Sequence, residues 1–284
     1  YLCVQGPVVY VTGWIMEQIG GKNGLQFFSK IVFLLLFIGT IIFIIKIIKA
    51  ESTFNSWVVF SILFFYLFFE PLKGNLDMIF ASFFLISGYY YLFYSSIKYK
   101  EGLSGLLLSM TLLTKMTSLF LVLFIIGIYL LDWINKSKSN SLKDNIIFIL
   151  QKKKMYVLIF SFLLPILLLF IFKPYLYHYL ITIQLLWAQY GLTFIGAMVH
   201  FLNPLNIFYV PNYALVLFLI TINVYGLILY KKRIFIFCIP AIITFLNILR
   251  ATSANYYYFL PALMFLLMGL LIFLNNYCTE HKKI

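Results

Sequence analysis

Residues 103–133 read LSGLLLSMTLLTKMTSLFLVLFIIGIYLLDW, an apolar run with one polar cluster near its middle, Thr114-Lys115-Met116-Thr117-Ser118. Lysines flank this run on both sides: Lys98, Lys100, Lys136 and Lys138. Because lysine and arginine collect in the cytoplasmic connections of membrane proteins, both ends of the run are predicted to lie on the same side of the bilayer. The run must then cross twice, as two short helices that meet at Lys115. An ammonium group is costly in lipid, so we expect Lys115 at a water-filled mouth near the far face.

The composition of the whole chain is typical of a membrane protein. Of the 284 residues, 64% are hydrophobic, 20% are aromatic and only 10% are charged, which is too little polar surface for a soluble domain. The formal net charge is +13, but the lysines stand in short clusters between apolar runs. We therefore interpret them as cytoplasmic anchors and do not predict a nucleic-acid partner.

Apolar runs long enough to cross, or nearly to cross, a hydrocarbon layer of about 30 Å recur along the chain. They are 27–46, 55–69, 77–97, 103–133, 155–172, 212–230, 234–249 and 257–274. With 103–133 crossing twice, the sequence predicts an all-α, polytopic transmembrane helical bundle with about nine crossings in a single domain, 1–284. Fifteen of the 21 Lys and Arg residues then lie on the cytoplasmic side and six outside.

Three segments are predicted to lie outside the hydrocarbon layer. Residues 1–26 form an outer loop, in which 7–19 is too short and too polar to span and is predicted to be an amphipathic helix on the outer surface. Residues 173–211 form a second outer loop, and 134–154, which contains many Lys, Ser and Asn residues, is predicted as a cytoplasmic linker. Since the chain begins at Tyr1 without a methionine, we expect that an N-terminal stretch precedes it.

Among the ionic side chains that this topology places on the outer side, three are candidates for a functional site: Asp77, Lys115 and Arg250. Two cations near membrane depth would suit a phosphate that enters sideways from the lipid, because charge-assisted hydrogen bonds strengthen where water is scarce. Each cation could instead reach to the interface without binding a ligand, and an Asp at a helix start is also an ordinary N-terminal cap. The functional interpretation predicts an anionic-ligand site to which all three side chains contribute.

Four stretches of the chain resemble the GT-C family of membrane glycosyltransferases, which includes mannosyltransferases that use dolichyl-phosphate mannose. The strongest resemblance is Gly102 to Thr117, a leucine-rich stretch that ends in Leu-Thr-Lys-x-Thr. The others are Gly6-Pro7-Val8-Val9-Tyr10, Asn75-Leu76-Asp77 followed by Phe83, Phe84 and Tyr89–Tyr91, and Arg250 followed by Asn255-Tyr256-Tyr257-Tyr258-Phe259-Leu260-Pro261-Ala262.

The resemblance implies a GT-C helical bundle, a polyprenyl-phosphate sugar donor and an acceptor glycan, lipid or protein at the outer or lumenal face. Such transfer needs a carboxylate base for the acceptor hydroxyl and cations for the departing lipid phosphate. The family's base lies upstream of the Gly-Pro stretch, which here means upstream of Tyr1. The resemblance therefore assigns Lys115 and Arg250 to the donor phosphate, and Asp77 to orienting the acceptor or assisting that base.

Further outer residues are candidates for the substrate pocket: Gln5, Tyr10, His178, His200 and Tyr257. His178 and His200 are 22 residues apart and have no acidic partner nearby in sequence, so neither a metal site nor a cofactor is predicted. The tyrosines are equally typical of an aromatic belt at the membrane interface.

The sequence thus predicts an inverting hexosyltransferase, with mannose as the candidate sugar, in the plasma membrane of a prokaryote or the endoplasmic reticulum of a eukaryote. Its expected partners are the lipid-linked donor, the acceptor and membrane lipids. A transporter or flippase of a lipid-linked glycan precursor would also gather cations and aromatics, but the repeated halves usual in transporters are not visible in this sequence. A non-catalytic subunit of a glycan-assembly complex is the third interpretation.

Overall fold

The computed structural model describes residues 7–51, 76–115, 118–137, 142–172, 210–243 and 260–281. These ranges are helical and contain no strand, which confirms the predicted all-α class for the described residues. The helices are α1 (Pro7–Glu51), α2 (Leu76–Tyr94), α3 (Lys100–Thr114), α4 (Leu119–Ser137), α5 (Leu142–Phe172), α6 (Val210–Tyr230) and α7 (Leu260–His281), with a 3-10 turn at Arg233–Phe237.

Four of the described helices are long and apolar enough to cross a membrane: Phe27–Glu51, Leu76–Tyr94, Lys152–Ile171 and Pro261–Thr279. Each overlaps a predicted span, so these four spans are confirmed as apolar helices of sufficient length. The predicted span 55–69 lies outside the described residues, as do the last residues of 234–249. Nine crossings and a GT-C bundle remain predictions.

Helix α1 joins the predicted surface helix to the first predicted span. Its backbone leaves helical geometry at Gly21, with φ 60° and ψ −164°, a conformation that is available almost only to glycine. The kink separates a short arm, on which Trp14 and Ile19 are exposed, from the spanning part that begins at Phe27. A helix at 7–19 is therefore confirmed, and its place on the membrane surface stays a prediction.

The segment 134–154, predicted as a linker, is largely helical. Helix α4 continues to Ser137 and α5 begins at Leu142, so that α5 starts 13 residues before the apolar run 155–172. Apolar periodicity marks only the part of a helix that is buried in lipid or protein, whereas Lys, Gln and Leu extend a helix through their intrinsic propensity. The structure thus extends helix into the predicted linker, and the cytoplasmic position of 134–154 stays a prediction.

The chain divides into two compact units, within Tyr1–Phe43 plus Ile79–Tyr177 and within Ile44–Met78 plus His178–Ile284. The closest packing in the first unit is between α3 and α5. In the second unit, α7 packs against α6 and the 3-10 turn.

Glycines on α3 allow the close approach of α5. A Cβ atom on Gly105 would lie 2.5 Å from the carbonyl oxygen of Leu158 and 3.0 Å from the backbone nitrogen of Phe162. Gly102, one turn earlier on α3, faces the Val157 side chain. The contacts thus advance along both helices in the same direction, so α3 and α5 run parallel. Small residues at such crossings are typical of helices that pack in membranes.

A buried amide joins α6 to α7 in the second unit. Asn223 is fully buried, and its Nδ2 donates hydrogen bonds to the carbonyl oxygens of Leu219 (2.8 Å) and Leu266 (2.9 Å). A Cβ atom on Gly269 would overlap Asn223 Oδ1. Because a buried amide is costly unless it is hydrogen-bonded, glycine at 269 is needed for the amide to reach α7.

We expect Gly269→Ala to destabilise the protein by about 1–3 kcal/mol, since the added methyl group displaces the Asn223 amide and breaks its bond to Leu266. Thermal unfolding in a neutral detergent measures this effect. In an Asn223→Ala background the overlap is absent, so the same change should cost much less. An equal cost of Gly269→Ala in both backgrounds would contradict the assigned contact.

Candidate functional site

Lys115 stands at the break between α3 and α4, where the sequence predicted it. Its backbone is extended, with φ −151° and ψ 110°, while its N–H donates to the carbonyl oxygen of Thr111 at 2.8 Å. The Thr111 and Thr114 hydroxyls donate to carbonyl oxygens one turn earlier in α3. Such side-chain bonds compete with the helical ladder and help to end the helix here. The N–H of Ser118 then donates to the Lys115 carbonyl oxygen at 3.2 Å and opens α4.

A hydrogen bond between the two helices shows that they run antiparallel. Tyr129 Oη on α4 donates to Glu101 Oε1 on α3 at 3.3 Å. Glu101 precedes Lys115 by 14 residues and Tyr129 follows it by 14. Two residues that are equally far before and after Lys115 can meet only if the chain reverses its direction near Lys115. The predicted hairpin is therefore confirmed, with Lys115 at its tip.

The length of α3 bears on whether the hairpin crosses the membrane. Helix α3 has 15 residues and is therefore about 22 Å long, less than the ~30 Å of a hydrocarbon layer. It is not among the four described helices long enough to span. The double crossing of 103–133 consequently stays a prediction.

The Lys115 side chain is 7% exposed, which is unusual for an ammonium group. Ser118 beside it is also buried, and within the described part of the chain its Oγ has no hydrogen-bond partner. The tip of the hairpin thus combines a buried cation with a hydroxyl that has donor capacity to spare. Chemically this pair is suited to an anionic oxygen, which accepts hydrogen bonds from both groups.

Asp77 occupies the first turn of α2 and is 6% exposed. Its Oδ1 accepts a hydrogen bond from the backbone N–H of Met78 at 3.0 Å. A carboxylate in this position satisfies a backbone donor at the helix start and interacts favourably with the helix dipole. The bond goes to the next residue and not to the second or third N–H beyond it, so both an N-terminal cap and a role of Asp77 toward substrate stay predictions.

Most of the other predicted site residues lie outside the described ones: Gln5, His178, His200, Arg250 and Tyr257. Tyr10 lies in helix α1, but its side chain is not among those that the structure describes. Asp77 belongs to the second unit and Lys115 to the first. The convergence of Asp77, Lys115 and Arg250 therefore remains a prediction.

Glu101 follows Lys100 in the sequence, a position typical of a solvated cytoplasmic anchor, but it is only 3% exposed and accepts a hydrogen bond from Tyr129. The signal that would have found this pair was the hairpin itself, since a chain reversing at Lys115 sets residue 101 opposite residue 129. In the ranges that the structure describes, no group of three or more His, Cys, Asp or Glu side chains could hold a metal ion.

No family model, curated protein or solved structure matches this chain.

Proposed function

We propose that this chain carries the donor-binding part of a membrane glycosyltransferase, which transfers a hexose from a polyprenyl phosphate to an acceptor glycan, lipid or protein. The observation that supports it most is the burial of Lys115 at the tip of an apolar hairpin. The resemblance of 102–117 to the GT-C pattern supports the same interpretation.

The cost of burying a cation argues for a function of Lys115. An ionisable side chain at membrane depth is expensive, and such residues commonly mark the path of a substrate or an ion. Glycosyl transfer from a polyprenyl-phosphate sugar breaks the bond between the sugar and the phosphate, so negative charge develops on the departing polyprenyl phosphate in the transition state. A cation placed in a water-poor site stabilises that charge more strongly than one in bulk water.

The remaining roles follow from the resemblance. Arg250 would share the donor phosphate with Lys115, and Asp77 would orient the acceptor or assist the carboxylate base that such transfer needs. Gln5, Tyr10, His178, His200 and Tyr257 would line the substrate pocket. Mannose is the first sugar to test, and the outer or lumenal face is the expected side of the reaction.

The experiment is a transfer assay with the protein purified in detergent and reconstituted in liposomes. Radiolabelled mannosyl and glucosyl polyprenyl phosphates serve as donors, and a membrane extract supplies acceptors. We expect label in the acceptor fraction with at least one lipid-linked donor and none with the matching nucleotide sugar. Movement of the intact donor between leaflets without any product would instead favour a flippase, and no transfer from any donor would refute the proposal.

A further inference from the structure

Lysines of two neighbouring helices collect at one end of the first unit. Lys98 and Lys100 stand at the start of α3, and Lys152, Lys153 and Lys154 stand on α5 just before its apolar part. Because α3 and α5 run parallel and cross near Gly102 and Gly105, both groups lie on the same side of that crossing. We call these five lysines the basic end. All of them are exposed except Lys100, which is half-buried.

Each of the two helices places a tyrosine beside a lysine of the basic end. The Lys98 Nζ lies 5.6 Å from the centre of the Tyr99 ring, and the Lys152 Nζ lies 6.0 Å from the Tyr156 ring. Tyr99 is 70% exposed and Tyr156 is 55% exposed, so neither ring is held in a protein core. Amphipathic rings beside cations are typical of the level at which lipid headgroups lie.

An apolar surface begins directly above the basic end on α5. Val157, Phe160, Leu163 and Leu167 are all exposed, and only 11% of the apolar helix Lys152–Ile171 is buried. Glu101, the acidic residue in the first turn of α3, is turned inward toward Tyr129 and is buried. The surface therefore offers cations, then aromatic rings, then aliphatic side chains in the order in which a phospholipid presents its headgroup, glycerol region and acyl chains.

We propose that the basic end binds the headgroups of anionic phospholipids in the leaflet that the lysine distribution predicts to be cytoplasmic. The phosphate contacts the lysines, the tyrosines lie against the glycerol region, and the acyl chains cover the exposed face of α5. The site is on the side of the hairpin opposite Lys115, so it is separate from the proposed donor site. A free phosphate would satisfy only the lysines and would leave the apolar face of α5 without a partner.

The test titrates the full chain, purified in a neutral detergent, with phosphatidylglycerol or phosphatidylcholine and counts bound lipid by native mass spectrometry. We expect Lys152→Gln/Lys153→Gln/Lys154→Gln to weaken phosphatidylglycerol binding by about tenfold or more, because each lysine near an anionic surface contributes separately. The matched single variants are Lys153→Gln, expected to weaken binding about fivefold, and Lys30→Gln, on an exposed lysine of α1 that the topology places on the outer side, expected to change binding less than about twofold.

Three outcomes would overturn the proposal: equal loss in Lys153→Gln and Lys30→Gln, phosphatidylcholine binding as tight as phosphatidylglycerol binding, or displacement of phosphatidylglycerol by millimolar inorganic phosphate. If the α5 triple variant does not fold, Tyr156→Leu and Lys98→Gln/Lys152→Gln replace it, since these side chains are exposed or half-exposed and touch little protein. Wild-type phosphatidylglycerol binding in both replacements would equally overturn it.

Discussion

Replacing Lys115 with Gln is expected to lower the rate of sugar transfer by about 10²- to 10³-fold, the loss typical when one preorganised group is removed from developing charge. Glutamine keeps hydrogen-bonding capacity and most of the side-chain length but carries no charge. Lys115 is 7% exposed and has contacts within the protein, so its replacement can also change stability. A Lys115→Gln variant that unfolds at the temperature of the wild type would tie the lost transfer rate to the ligand and not to folding.

The combination of lost turnover and retained stability distinguishes a ligand-binding lysine from a structural one. Single-turnover transfer from the lipid-linked donor measures the first quantity, and thermal unfolding in detergent measures the second. Lys30→Gln, on an exposed lysine of α1, is the control and should transfer sugar at the wild-type rate. Unchanged turnover of Lys115→Gln, in a preparation whose wild type is active, would refute the phosphate assignment while leaving the glycosyltransferase proposal standing.

Gly105→Ala is expected to destabilise the first unit by about 3 kcal/mol, at the upper end of the cost of overpacking. The new Cβ would stand 2.5 Å from the Leu158 carbonyl oxygen and 3.0 Å from the Phe162 nitrogen. Both are backbone atoms, which cannot rotate away as a side chain can, so α3 and α5 must separate. Unfolding in a bicelle or detergent, followed by tryptophan fluorescence, gives the change in free energy.

Gly127 on α4 provides the matched control for Gly105. A Cβ there would meet nothing within 4 Å, so Gly127→Ala gains only helix propensity and should stabilise by about 0.5–1 kcal/mol. Replacing glycine with alanine is thus expected to lower the free energy of unfolding at Gly105 and to raise it at Gly127, although both glycines lie in helices of the same unit. Equal effects at the two positions would contradict the close approach of α3 and α5.

The hairpin was predictable because two constraints acting over short distances agree. The lysines at both ends of 103–133 require the chain to return to its starting side, and the only polar cluster in the run supplies the place to turn. The structure ends α3 at Thr114 and begins α4 at Leu119. The side of the membrane on which lysines are expected and the position of the polar cluster can both be read from the local sequence. The hairpin could therefore be predicted without knowing how the helices pack.

The start of α5 and the burial of Glu101 were not predictable in the same way. Hydropathy detects the apolar part of α5 but not its polar beginning at Leu142. Glu101 sits between a lysine and a glycine and therefore resembles a solvated anchor in sequence. Its burial depends on the rotation of α3 about its axis, which sets its carboxylate against Tyr129.

The candidate site also has features that the sequence predicts and features that only the structure shows. The sequence identified Lys115 as an exceptional cation, whereas the unpartnered hydroxyl of Ser118 beside it and the backbone acceptor role of Asp77 needed coordinates. A residue's type reveals what chemistry it can perform. Its neighbours decide which part of that capacity is already used within the protein.

The amino-acid sequence by itself determined the helical class, the apolar runs, the turn at Lys115 and the clustering of lysines at helix ends. These features follow from the cost of placing each residue in lipid or water, which adds up along the chain. Only the tertiary structure decided that Gly105 meets the backbone of α5, and that Asn223 bonds across to Leu266. Those contacts depend on the register and rotation of one helix against another, and hydropathy carries no information about either.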